Sequence, residues 1–168
     1  MMPTRISQRL DSDTLNREVL SSTGLPVHIL PLSTIKPHEQ IDPLHAIQLD
    51  DEIVVNGYFT TPILVDHRDQ ILLDGHHRYW VLSKRIRARF IPAVLVDYDN
   101  ESLINVTSWR DGIVVNRSVV REAAFSRRLL KCKTSRHLLS FEIGQIRIPL
   151  SDLEANLPCV NGESYRSA

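Results

Sequence analysis

Ile71-Leu72-Leu73-Asp74-Gly75-His76-His77-Arg78-Tyr79-Trp80-Val81-Leu82 opens as a short apolar run and breaks at Asp-Gly. Apolar residues return at Tyr79, Leu82 and Ile86, the spacing of one helix face. The stretch therefore reads as strand, tight turn, helix. Gly75, His76, His77 and Arg78 fall in or beside the first helical turn. Unpaired N–H groups and the positive end of the helix dipole there suit an anion, phosphate above all. Glycine lets the backbone come close, and an arginine can fork onto phosphate oxygens. The two histidines add donors that titrate near neutral pH. Being adjacent, they point about 100° apart on a helix, so one faces the phosphates and the other packs or supports. Asp74 binds Mg²⁺, orients a histidine, or only forms the turn. By itself such a junction is weak evidence, because Asp-Gly followed by His-His-Arg also makes an ordinary solvated first turn.

Upstream, Val27 to Leu32 is strand-like, with Pro31 suggesting an edge or bulge. Ser33 to Pro43 is turn chemistry, closing on Asp42 as N-cap and Pro43 at the first helical position. Leu44, Ile47, Asp51 and Val54 follow one helix face, and Asn56-Gly57 ends it. Thr61 to Asp66 is a strand that turns at His67-Arg68-Asp69 and pairs back through Gln70 to Leu73. The helix after Gly75 runs to about Arg87, and Phe90 to Asp97 is apolar enough for a strand buried on both faces.

Downstream, Leu103 to Trp109 predicts another strand, and Asn116 caps a helix carrying Val119, Val120, Ala123, Ala124 and Leu130. Lys131 to His137 reads as a polar, basic loop, and Ile143 to Ile148 as a half-buried strand. Residues 150–157 suit a short helical turn. Leu15, Val19 and Leu20 follow Asp13 at helical spacing, so residues 1–24 form a polar segment or a short helix ending near Gly24. The chain thus divides into a segment at 1–24, an α+β core at 25–98, an extension at 99–157 and a tail at 158–168.

The 168 residues suit one domain, and 42% hydrophobic content supplies a core. Lys+Arg and Asp+Glu balance at 20 each, so net charge points to no particular partner. The distribution is uneven. Glu39 to Asp74 holds eight acidic residues against one basic, while Arg110 to His137 holds eight basic against two acidic. Such halves either bracket an anion with its metal or neutralise each other. Cys132 and Cys159 have no metal or disulfide spacing, which suits a reduced, cytoplasmic setting. No apolar run approaches a signal peptide or a membrane span. Zinc is not expected, for want of a third and fourth ligand.

Asp74-Gly75-His76-His77-Arg78 resembles the signature of the ParB/sulfiredoxin superfamily, where a Gly-x-x-Arg turn opens a helix and holds nucleotide phosphates. Its double-histidine form resembles most closely the free-serine kinases. Pro37-His38-Glu39 is similar to the segment supplying their catalytic glutamate. Lys133-Thr134-Ser135-Arg136-His137 is similar to a late motif contacting the phosphate of substrate or product, and Thr107-Ser108-Trp109-Arg110 to one whose tryptophan lines the amino-acid pocket. The likeness runs from about residue 26 to about residue 150.

It implies an α+β fold: a small ParB/sulfiredoxin-like mixed sheet with flanking helices, plus a C-terminal α/β extension. It implies a kinase that converts free L-serine to O-phospho-L-serine with Mg²⁺ and either ADP or ATP. Glu39 would be the general base, with Asp74 and His76 also in the catalytic set. Gly75, His76, His77 and Arg78 would hold the nucleotide, and Trp109 with Lys133, Thr134, Ser135, Arg136 and His137 the serine. Nucleic acid and membrane are not expected partners. There are departures. His76 stands where a sulfiredoxin needs cysteine, and a partitioning ParB would carry Glu-Arg-Arg and a helix-turn-helix domain. The chain is also short for a siderophore-pathway serine kinase. The rival expectations are a ParB-type nucleotide-dependent DNA-binding regulator, with 110–137 on the phosphate backbone, and a nuclease.

Overall fold

The structure is a computed structural model and describes residues 18–154. Five strands form the main sheet: β1 (Glu18–Leu20), β2 (Pro26–Pro31), β4 (Ile63–Asp66), β5 (Leu72–Asp74) and β6 (Phe90–Val96), in the order β1-β2-β6-β4-β5. The sheet is mixed: β6 runs antiparallel to β2 and parallel to β4, and β4 pairs β5 as a hairpin. Between these lie α1 (Pro43–Asn56), a two-residue β3 (Tyr58–Phe59) and α2 (His76–Trp80). α2 continues through a π-helical segment, Val81–Ile86, and stops at Arg87, whose φ of 59° is left-handed. The extension adds β7 (Ile104–Ser108), α3 (Arg117–Ser126), β8 (Ser135–Leu139), β9 (Ile148–Pro149) and α4 (Ser151–Glu154), with β7 pairing β8 and β3 pairing β9. No helix among the described residues is long and apolar enough to cross a membrane.

Local chemistry sets the boundaries. Asp42 caps α1 by accepting the Leu44 N–H at 3.0 Å, Pro43 opens it, and Gly57 closes it at φ 70°. Asn116 caps α3 through the Val119 N–H. The apolar run of β6 is explained by its place inside the sheet, where Ile91, Ala93, Val94 and Val96 are all buried. Pro31 sits at the end of β2, past the three residues that β1 pairs.

Three expectations are corrected. The described part of the N-terminal segment, Glu18–Leu20, is a strand rather than a helix, because Val19 lies opposite Val27 at the sheet edge; residues 1–17 and the tail lie outside the described residues. The helix face of Leu44, Ile47 and Val54 points outward, with Leu44 75% exposed, whereas Ala46, Asp50 and Ile53 face the core. The Lys131–His137 loop becomes strand from Ser135, since Ser135–Leu139 pairs the whole of β7. Of the segment 143–148, only Ile148 enters a ladder, although Ile146 is buried too.

The orientation of α1 gives a direct test. Ile53→Ala should cost about 2–5 kcal/mol by urea unfolding, and Leu44→Ala no more than roughly 0.5 kcal/mol. The opposite ranking would reverse the face.

Candidate active site

A cleft of about 660 Å³ lies where the β5–α2 turn meets α1 and the β7–β8 ladder. Of the residues singled out from sequence, Glu39, Asp74, Gly75, His76, His77, Arg78, Trp109, Lys133, Ser135, Arg136 and His137 all line it. Thr134 does not: it is 7% exposed, its N–H serves Glu39, and its carbonyl accepts the Trp109 N–H.

Glycine at 75 is a steric requirement. Its φ is +98°, and a Cβ there would meet Ile63 Cγ2 at 2.7 Å. The first helical bond of α2 is Tyr79 N–H to the Gly75 carbonyl, and no side chain caps the turn. The amides of the first turn are therefore available to an anion.

The arginine of the motif is already employed. Arg78 Nη1 donates to the carbonyls of Thr61 (3.0 Å) and Pro62 (2.8 Å), and Nη2 to Asp74 Oδ2 (2.8 Å). Two of these bonds brace the turn against the segment leading into β4 and the third ties it to Asp74, so three of the five donors are engaged. Asp74 is exposed at the rim, with one carboxylate oxygen engaged by Arg78.

Neither motif histidine is a cationic clamp. His76 Nε2 accepts the His38 backbone N–H at 3.4 Å, and His77 Nε2 accepts that of Asp42 at 2.9 Å. An accepting Nε2 puts the ring proton on Nδ1. Burial lowers the pKa of both, most strongly for His76, where the neighbouring imidazoles of His38 and His137 add to the effect. The pair brackets Glu39, holding the chain on either side of it as neutral rings.

Glu39 is fixed from the extension. Lys133 takes a left-handed φ of 57°, and the turn directs three successive amides at one carboxylate. Oε1 accepts from Lys133 N (2.8 Å); Oε2 accepts from Thr134 N (3.2 Å), Ser135 N (2.8 Å) and Ser135 Oγ (2.6 Å). The backbone of the Lys-Thr-Ser segment therefore binds an anion, and that anion is the protein's own glutamate. Lys133 and Arg136 remain on the cleft wall, with the Arg136 guanidinium 4.2 Å from the ring centre of Trp109, itself 58% exposed. Residues of the acidic and the basic stretch share this cleft: Glu39 and Asp74 line it with Lys133 and Arg136.

Two further residues belong to the site and were passed over in the sequence. His38, fully buried, donates from Nδ1 to the Leu72 carbonyl (2.7 Å) and reaches Ser135 Oγ from Nε2 (2.8 Å). Tyr98, also buried, meets His137 Nε2 at 2.9 Å. Burial pushes the His137 pKa down to about 3, with His38 adding to the effect and a bond to the Leu73 backbone opposing it. The adjacency of His38 to Glu39 was the available signal.

No metal cage exists among the described residues. Asp74 offers a single carboxylate, which fits Mg²⁺ arriving on a nucleotide better than a resident ion.

No protein-family model matches the chain. A ParB-like protein of Sulfolobus acidocaldarius is 33% identical over 85 residues, covering 51% of this chain and 41% of that protein. An ATP-dependent L-serine kinase of Staphylothermus marinus is 28% identical over 134 residues, covering 73% of this chain and 52% of the kinase. The chain spans about half the length of these curated relatives. A solved free serine kinase in complex with AMP superposes with a TM-score of 0.67 at 17% identity, over 85% of this chain and 97% of that one. The chain therefore shares that α+β fold.

The depressed histidines set the sign of a pH effect. The unfolded chain binds protons near pH 6.5 that folded His137 refuses until about pH 3. Stability should therefore fall as pH drops through that window, by about 1.4 kcal/mol per pH unit for each such group. His137→Asn should flatten the slope of urea-derived stability between pH 6.5 and 4; an unchanged slope would show that the ring is not held neutral.

Proposed function

We propose that the protein is a small-molecule kinase that phosphorylates free L-serine to O-phospho-L-serine, with ADP (giving AMP) or ATP (giving ADP) as donor. The observation that carries this reading is the placement of Glu39. It lies in one cleft with the β5–α2 turn, held on the backbone of the same segment that brings Lys133 and Arg136 to the cleft wall. The fold shared with an AMP-bound free serine kinase and the likeness to an L-serine kinase support it.

The roles follow from the chemistry of phosphoryl transfer, which needs positioning and charge neutralisation more than covalent help. The amides opening α2 and the spare donors of Arg78 take the donor's phosphates. Neutral His76 and His77 keep Nδ1–H donors and hold the Glu39 segment at a fixed distance from that turn. Mg²⁺, held by Asp74 and the phosphates, would neutralise charge on the transferring group. Trp109 and Arg136 form the wall for the amino acid, with Lys133 facing its carboxylate or new phosphate. Glu39 accepts the hydroxyl proton as oxygen bonds to phosphorus. The reaction uses free amino acid and nucleotide, which places it in the cytoplasm.

The DNA-binding alternative draws less support. Its basic stretch is partly consumed: Arg110 bonds the carbonyls of Cys132 and Lys133, Arg117 those of Tyr98 and Ile104, and Arg121 pairs with Asp99.

Phosphorus NMR of the protein with L-serine, Mg²⁺ and ADP or ATP in separate tubes tests the reading. A phosphomonoester peak matching O-phosphoserine is expected with one donor. Glu39→Gln should slow its appearance about 10²–10⁴-fold. No peak with either donor, while nucleotide still binds, would overturn the serine assignment.

A further inference from the structure

A count of protons around Ser135 leads beyond a lone glutamate base. Three contacts stand in a row: Leu72 carbonyl to His38 Nδ1 (2.7 Å), His38 Nε2 to Ser135 Oγ (2.8 Å), and Ser135 Oγ to Glu39 Oε2 (2.6 Å). Each needs one hydrogen between its heavy atoms. A carbonyl cannot donate, so Nδ1 carries a proton and a neutral His38 has a bare Nε2. Ser135 owns one hydroxyl hydrogen for its two neighbours. With Glu39 ionised and His38 neutral the row is therefore one proton short, and the hydroxyl goes to the carboxylate, leaving Nε2 lone pair facing oxygen lone pair.

One added proton completes the row. Placed on Glu39 Oε2, it is donated to Ser135 Oγ, and the hydroxyl turns onto His38 Nε2. Placed on His38, it gives an imidazolium that donates to both Leu72 and Ser135. Both forms make all three bonds. A row whose histidine and serine are buried, and which lacks one hydrogen bond until a proton arrives, is an acceptor in waiting.

We propose that Glu39, Ser135 and His38 form a single proton-accepting unit, with Ser135 and His38 as positioning residues that make Glu39 an effective base. The proposal rests on the kinase reading for its role in turnover. The step balances as follows. The acceptor's O–H bond breaks as its oxygen bonds to phosphorus, and the donor's P–O bond breaks, with that electron pair leaving on the nucleotide. The proton joins Glu39 and settles on Oε2 against Ser135 Oγ, and the serine hydroxyl turns to His38.

The surroundings favour an empty unit at rest. His76 from α2 stands 4.5 Å from His38 by ring centres, His137 from β8 stands 5.7 Å away, and Glu39 follows it in the chain. Burial lowers the His38 pKa, with Glu39 and the Leu72 carbonyl opposing. With His76 and His137 neutral, the charge that acts on His38 is the carboxylate of Glu39 within the unit, while Arg78 lies beyond His76 and Arg117 beyond His137.

Groups that share one proton titrate together. The test uses the full-length free protein with ¹⁵N-histidine and ¹³C-glutamate labels, followed by NMR from pH 8 to 4. The His38 Nε2 and Glu39 carboxyl resonances should move with one common midpoint. Ser135→Ala should split that midpoint into two, and Ser135→Thr, which keeps the hydroxyl, should restore it. Separate midpoints in the unaltered protein, a measurement that needs no variant, would overturn the proposal. So would a common midpoint that survives in a folded Ser135→Ala protein. No substrate is present, so the two ideas fail separately. A shared midpoint in a protein that makes no phosphoserine sinks the kinase reading alone, and separate midpoints in an active kinase sink the unit alone.

Discussion

The carboxylate of Glu39 joins the two parts of this protein. It comes from the turn between β2 and α1, and its bonds go to three successive amides of the extension at residues 133–135. The adjoining backbone is sewn to the same segment: Leu130 N donates to the His38 carbonyl, and Gln40 N to that of Leu130. A charged acceptor on several amides is worth more than a neutral one. This clasp, with the His38–Ser135 contact and the bond from His137 to the Leu73 backbone, fixes the β7–β8 ladder against the β5–α2 turn and so sets the width of the cleft.

A group with so many bonds is well placed and poorly mobile, which suits a base whose task is to meet one hydroxyl at one distance. The cost is that its lone pairs are largely spoken for. The buried serine and histidine behind it answer that cost with a further proton site. The same economy appears across the cleft, where Arg78 and the two motif histidines do structural work first. Arg78 braces the turn to β4, and His76 and His77 hold the chain on either side of Glu39. The proposed phosphate site at this turn would then rest more on backbone amides than on side-chain charge.

Much of this was legible in the sequence where one residue has one strong local preference. Asp42, Pro43 and Gly57 mark the ends of α1, Asp-Gly marks the turn, and an unbroken apolar run marks β6. The constellation that lines the cleft was also legible, through short motifs at Glu39, at 74–78 and at 133–137. What could not be read depends on partners distant in the chain. α1 carries Leu44, Ile47 and Val54 on one side and Ala46, Leu49 and Ile53 on another, so periodicity alone does not choose the buried face. Lys133 to His137 reads as a solvated basic loop until β7 supplies a ladder, and its backbone turns inward to Glu39 only because Lys133 adopts a left-handed conformation. Arg78 looked free to fork because its carbonyl partners, Thr61 and Pro62, lie on another element. His38 was overlooked beside Glu39 because its meaning depends on Ser135, nearly a hundred residues later.

The central claim is that one cleft holds a nucleotide at the opening of α2 and an amino acid against 133–137, with Glu39 between them. A crystal structure with AMP and O-phosphoserine both bound tests it most directly. The account predicts the AMP phosphate on the amides of residues 76–78 and the phosphoserine phosphate beside it, its bridging oxygen within hydrogen-bond reach of Glu39 or Ser135. A nucleotide seated away from this turn, or a phosphoserine pointing its phosphate away from Glu39, would contradict it.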